Sequence, residues 1–181
     1  MDEFRYNFDP ADRITTGTVG QPGNRTFFLQ ARRGRERVSL VVEKEQVQAL
    51  AEAIEQLLEN LTEQNPLLST VDDMIAFTNM ALEEPLEETF RVGRLGLGYD
   101  EGRDLLVIIA QEVGGEDTPQ SELDVARITM TRDQGRALAR EGSEIVVRGR
   151  PRCPQCGEPM NAAGHFCIKK NGQPIVAYDE G

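Results

Sequence analysis

The stretch TRDQGRALAR, Thr131–Arg140, repeats the pattern of EKEQVQALAE, Glu43–Glu52. Gln134 stands where Gln46 stands, and Ala137, Leu138 and Ala139 match Ala49, Leu50 and Ala51. Arg132 and Asp133 keep the charges of Lys44 and Glu45. Each stretch follows an apolar, β-branched run: VSLVV (Val38–Val42) before the first and VARITM (Val125–Met130) before the second. Further upstream each has two strand-like runs around a turn. RITTGTVG (Arg13–Gly20) and RTFFLQAR (Arg25–Arg32) flank QPGN; TFRVGRLGLG (Thr89–Gly98) and RDLLVIIAQEV (Arg103–Val113) flank YDEG. Pro, Gly, Asn and Asp between apolar runs supply the fixed or positive φ that turns need.

The expected fold is therefore α+β: a duplicated antiparallel strand–strand–strand–helix unit with a C-terminal zinc-ribbon-like tail. Residues 1–148 make the duplicated body. Repeat one covers about 3–61, a helical acidic linker 62–88, and repeat two about 89–148. Residues 149–181 make the zinc-binding tail. Two such α+β layers can pack about a pseudo-twofold axis. The second unit carries an insertion, GGEDTPQSE (Gly114–Glu122), before its third strand.

The first helix is expected over Glu43–Asn60. Val47, Leu50, Ile54, Leu57, Leu58 and Leu61 recur at helical spacing and make one buried stripe. Thr131 and Gln134 have the spacing of a capping box at the start of the second helix. PLLSTVDDMIAFTNMALEE (Pro66–Glu84) suggests one or two further short helices, and SEIVVRG (Ser143–Gly149) a last strand.

Hydrophobic residues are 39% and charged residues 28% of the 181-residue chain, values of a soluble globular protein able to bury its own core. No apolar run reaches the roughly 18–20 residues of a membrane span. The N-terminus, MDEFRYNFDP, lacks a signal-peptide core, so a cytoplasmic location is expected. The net charge of −11 opposes broad adhesion to nucleic acid. That charge is uneven. Seven acidic residues and no basic one lie between Thr62 and Glu88, whereas five basic and one acidic residue lie between Arg148 and Gly172.

CPQCGEPMNAAGHFC, Cys153–Cys167, holds all three cysteines and the only histidine. In a reducing compartment such a cluster reads as metal-binding. Cys153, Cys156, His165 and Cys167 supply three thiolates and an imidazole, a standard donor set for tetrahedral structural Zn²⁺. The CPQCG turn brings two sulfurs together, and Gly157 can take the positive φ that points amides at a thiolate. His165 and Cys167 are two apart, so on an extended segment they share a side. Three thiolates, a neutral imidazole and Zn²⁺ sum to −1, which Arg152, Lys169 and Lys170 offset. Four protein ligands leave no open position for water, so the metal is expected to hold a tail too short for its own core.

With His165 committed, no histidine remains for a Ser–His or Cys–His pair. The acidic doublets Asp72/Asp73, Glu83/Glu84 and Glu87/Glu88 place neighbours on different sides of a helix or strand and read as solvated surface. GRLGLG (Gly93–Gly98) lacks the order of a phosphate loop and reads as a bulged strand. In GQPGNR (Gly20–Arg25), the amides with Asn24 and Arg25 are a candidate anion cradle, with a plain hairpin turn as the alternative. Arg148, Arg150, Arg152, Lys169 and Lys170 form a basic tail.

GTVGQPGNRTFFLQA, VVEKEQVQALAE, FRVGRLGLGYD and GRPRCPQCGEPMNAAGHFC together resemble domain-of-unknown-function family 3090 of actinobacteria and relatives. The resemblance spans nearly the whole chain. It implies no particular reaction. It implies gene neighbours resembling a phosphoinositide kinase and a histidine phosphatase, and so a partner in phosphate-related metabolism or signalling.

The expected function is a zinc-containing, non-enzymatic binding or adaptor protein. Its partner is expected to be another protein, the kinase-like or phosphatase-like neighbour among the candidates. The alternative is an enzyme or binder of a phosphorylated small molecule. The Gly20–Arg25 turn would hold the anion, and Asp100 or Glu101 on the equivalent turn would handle protons or a metal. Convergence of the two turns in one pocket would favour it. A third reading is nucleic-acid binding through the basic tail.

Overall fold

A computed structural model describes residues 4–21, 23–65 and 79–148, together with the backbone of residues 165–166 and 174–175. The strands are β1 (Tyr6–Phe8), β2 (Arg13–Gln21), β3 (Asn24–Arg33) and β4 (Glu36–Val42), followed by α1 (Lys44–Gln64). Then come β5 (Phe90–Asp100), β6 (Leu105–Glu112), β7 (Val125–Met130) and α2 (Arg132–Val147), and a short pair, β8 (His165–Phe166) and β9 (Pro174–Ile175). Both helices follow a three-stranded run, as the paired motifs require.

The two runs share one seven-stranded sheet, in the order β1-β7-β6-β5-β4-β3-β2. Within each run the strands are antiparallel, as expected, and the two units join side by side. β4 and β5 pair in parallel through Leu40–Phe90 and Val41–Arg91, and β1 pairs in parallel with β7. Edge strands left unpaired would expose a row of backbone donors and acceptors, and pairing them removes that cost.

The sheet cannot be flat. Its end strands, β1 and β2, are neighbours in the chain. The five Cα steps from Phe8 to Arg13 reach at most about 18 Å. Six strand spacings of a flat sheet would span roughly 29 Å. Backbone bonds close the gap: Ala11 N–H donates to Thr129 O on β7, and Asp12 N–H to Arg32 O on β3, each at 2.8 Å. The sheet thus curls until β1 and β2 act as two halves of one interrupted strand. Register supports this. Leu40 faces Phe90 across β4–β5, and Ile128, three residues before its helix cap as Leu40 is, faces Phe8 across β7–β1. Phe8 and Phe90 are both buried. The short β1 carries no strand signal in the sequence, because Tyr6 and Phe8 offer too little alternation.

The core fills the inside of the curl. Ile14, Leu29, Leu40, Leu106, Ile108, Ile128 and Met130 meet Val47, Ile54 and Leu138 from the helices. The helices cross antiparallel, since Gly135 lies against Ile54, and Gly142 against Ala51 and Val47. Val47 occupies in α1 the place that Gly135 occupies in α2, so the contact repeats about a twofold-like relation.

The capping box forms as the spacing predicts. Gln134 N–H donates to Thr131 Oγ1 at 3.1 Å, and Thr131 N–H to Gln134 Oε1 at 2.9 Å. Gln46 Oε1 accepts from Glu43 N–H at 2.8 Å in the same way. Gln134 also donates through Nε2 to Ala11 O, so it ties α2 to the β1–β2 break. Gln134→Ala is expected to cost about 1–2 kcal/mol, read from urea unfolding, because both a cap and a tertiary bond are lost.

One local expectation fails, and a second is answered only over its last six residues. Ser143–Val147 is helical, not a strand. Ile145 and Val146 favour strands intrinsically, yet Leu138, Gly142 and Ile145 share a buried face, and its packing outweighs a propensity of tenths of a kcal/mol. Within Pro66–Glu84, residues 79–84 form no helix; residues 66–78 lie outside the described residues. Asn79–Pro85 instead crosses β2, β3 and β4 as a strap.

Candidate functional site

A dense polar cluster lies where β1 breaks into β2. Asp9 Oδ1 accepts from Thr129 Oγ1 at 2.7 Å and from Arg103 Nη1 at 2.8 Å; Oδ2 accepts from Arg127 Nη2. Arg103, on the β5–β6 turn, also pairs with Asp100 at 2.7 Å. Nearby, Asp104 accepts from the Tyr99 hydroxyl and, at 2.8 Å, from Arg132 at the start of α2. One carboxylate therefore fixes the strand break to β7 and to the β5–β6 turn, and a second fixes that turn to α2.

The electrostatics follow from these contacts. The Thr129 hydroxyl, then Arg103 and Arg127, hold Asp9 at about 2, below its ordinary 3.8, although burial pushes the other way. Burial would raise Asp104, but the Tyr99 and Arg132 hydrogen bonds outweigh it and hold that carboxyl low. Groups so held stay ionised near neutrality and have their oxygens engaged. A general base works best with a pKa near the working pH, which these groups lack. The cluster's chemistry is anchoring. Arg127 stacks on Phe4 at 5.4 Å, and its Nε is buried without a hydrogen-bond partner.

The strap is the second construction. Arg13 Nη2 donates to Asn79 O at 2.8 Å and to Ala81 O; Thr15 Oγ1 donates to Met80 O at 2.5 Å. Gln30 donates through Nε2 to Glu83 O at 3.1 Å and accepts from Glu83 N–H at 2.7 Å. Arg32 pairs with the Glu83 carboxylate at 2.9 Å, and Arg37 donates to Pro85 O at 2.7 Å. Leu82 lies over Gly17: a Cβ there would come within 2.7 Å of Leu82 Cγ. Thr15, Gln30 and Ser39 are consequently buried although they face away from the core. The acidic doublet Glu83/Glu84 is thus partly structural rather than simply solvated.

The residues singled out from sequence fall in different places. Asn24 pairs with Gln21 where β2 and β3 meet, and Gly23 has φ +90°. Arg25 lies over the Phe27 ring at 5.7 Å. Asp100 is engaged by Arg103, and β2 and β5 are separated by two strands. Neither turn lines the cavity of about 720 Å³ between α1 and α2 or the one of about 330 Å³ on the β5–β6–β7 face.

Arg148, at the end of α2, pairs with Glu144 at 2.8 Å, one helical turn back. Burial raises Glu141, with Arg148 opposing. Arg150, Arg152, Lys169, Lys170, Cys153, Cys156 and Cys167 lie outside the described residues, as do Asp72 and Asp73. His165 lies in β8, paired antiparallel with β9 through His165–Ile175, an extended backbone as its spacing from Cys167 assumes.

Fold and cluster define an α+β protein built on one curled mixed sheet with two helices. The chain belongs to the family described as protein of unknown function (DUF3090), whose model matches residues 6–167. No curated protein and no solved structure matches it. No helix among the described residues is long and apolar enough to cross a membrane.

Proposed function

We propose that this is a non-enzymatic binding or adaptor protein whose C-terminal segment holds a structural zinc ion. One observation carries the reading: Cys153, Cys156, His165 and Cys167 gather every cysteine and the only histidine at metal-ligand spacing. The donor set suits zinc, and the extended backbone at His165 is compatible with that spacing. The family match takes in all four positions. When bound, zinc would supply cross-linking of the tail, with no open position for a substrate. The partner is a protein, and the kinase-like or phosphatase-like neighbours are the first to test.

Metal content tests the core of this reading. Protein purified under reducing conditions without added metal is expected to carry about one zinc per chain. Cys153→Ser and His165→Ala are both expected to lose it. Folded wild type without zinc would turn the thiols into redox or reactive groups and overturn the reading.

A further inference from the structure

The two strand runs are equivalent in register but, among the described residues, unequal in cover. Thr16 and Leu97 occupy the same place, since Thr16 faces Leu29, Leu29 faces Leu40, Leu97 faces Ile108 and Ile108 faces Ile128. Gly17 of β2 then corresponds to Gly98 of β5, Arg13 to Arg94, Thr15 to Gly96, Gln30 to Ile109 and Arg32 to Gln111. In the first run this outer face carries the strap, and Leu82 sits over Gly17. In the second run Gly96 and Gly98 are exposed, and a Cβ on Gly98 would meet nothing within 4 Å. A groove of about 330 Å³ lies on that face, lined by Arg94, Gly96, Ile109, Gln111 and Val125, with Phe4 at its margin.

From this difference we infer that the outer face of β5–β6–β7 is a docking groove for an extended peptide segment of a partner protein. The segment places a large aliphatic side chain over Gly98 and an acidic residue beside Arg94. The first run supplies the pattern: leucine over glycine, then Glu83 on Arg13 and Arg32 at 3.8 and 2.9 Å. The second run keeps the glycine and one arginine. Arg94 is exposed and makes no ion pair among the described residues.

The substitutions also define a difference. Gln30, which grips the strap backbone, is replaced by Ile109, and Thr15 by Gly96. Recognition in the second groove therefore relies more on apolar side chains over Ile109 and Val125 than on main-chain bonds. Half-buried aliphatic side chains beside an open glycine pair leave apolar area for a partner to cover. This inference deepens the binding-protein reading by stating the chemistry of the partner, and it rests on the sheet face rather than on zinc.

The probe is a capped peptide with the strap's own sequence, Asn-Met-Ala-Leu-Glu-Glu-Pro, titrated into the isotope-labelled full chain. Amide resonances of Gly96, Gly98, Ile109 and Gln111 are expected to shift at roughly millimolar peptide or below. Gly98→Val fills the hollow with a strand-favouring residue and is expected to weaken binding at least about tenfold. Arg94→Glu, an exposed change that leaves packing intact, is expected to do the same, as is aspartate for leucine in the peptide. Absence of shifts on this face, or shifts confined to Thr15, Gly17 and Gln30, would overturn the proposal. So would a dimer of the chain abolished by Gly98→Val, because the face would then belong to a second copy. If the peptide fails while the chain still captures a partner from native cells, the groove falls and the binding-protein reading stands.

Discussion

Gly135→Leu is expected to destabilise the protein by about 2–3 kcal/mol. A Cβ at Gly135 would lie 2.9 Å from Leu106 Cδ2, 3.6 Å from Ile54 Cγ2 and 3.7 Å from Met130 Cε. Leu106, Ile54 and Met130 are fully buried, so none can swing into solvent. Removing a glycine from a helix interior would by itself favour the helix by up to about 1 kcal/mol. Overpacking at a three-element contact outweighs that gain, because α2 must lift from the sheet to admit the side chain. For a chain of this size the loss corresponds to a fall in Tm of roughly 5–10 °C. Urea unfolding of the variant measures it. An unchanged midpoint would mean that α2 does not rest on Leu106 and Ile54.

The second large effect belongs to Asp9. Asp9→Ala removes the acceptor shared by Thr129, Arg103 and Arg127. Arg127 already has one buried N–H without a partner. Removing its carboxylate leaves a part-buried cation facing an empty site, and the expected cost is about 2–3 kcal/mol. The pH dependence has a definite sign. Asp9 titrates at about 2 in the folded chain against an ordinary 3.8. The unfolded chain therefore binds the proton more readily as the solution is acidified. Stability from Asp9 is complete above about pH 4 and is lost as the pH falls from about 4 toward about 2. Asp9→Asn is expected to be less stable at pH 6 and to show a shallower acid dependence over that window. A variant whose acid dependence runs parallel to wild type would show that Asp9 is not the coupled group.

Much of the architecture was legible because it is written in short-range chemistry. The matched stretches at Glu43 and Thr131 announce two helices. Gln46 and Gln134, three residues inside each, make the same backbone cap. QPGN and YDEG turn the chain between apolar runs as their residue types demand. The missed features depend on contacts between distant residues. Ile145 and Val146 favour a strand locally, and only the face that Ile145 shares with Leu138 and Gly142 makes them the end of α2. Met80, Ala81 and Leu82 have helix-forming side chains, yet Thr15, Arg13 and Gly17 hold them across the sheet outside any helix.

The candidate sites divide along the same line. Metal-ligand spacing is local, so the Cys153–Cys167 cluster is readable from sequence alone. Asp9 carried no such signal, since its partners lie 94, 118 and 120 residues away.

From its sequence alone, this chain determines two strand–strand–strand–helix runs and a concentrated Cys/His donor set, because strand alternation, helix capping, turn chemistry and ligand spacing all act over a few residues. Only the tertiary structure decides that the runs join edge to edge in one curled sheet. It also decides that an interrupted first strand closes the curl, and that, among the described residues, one outer face is covered and its equivalent is not. Those outcomes depend on pairing free strand edges and on burying side chains brought together from across the chain.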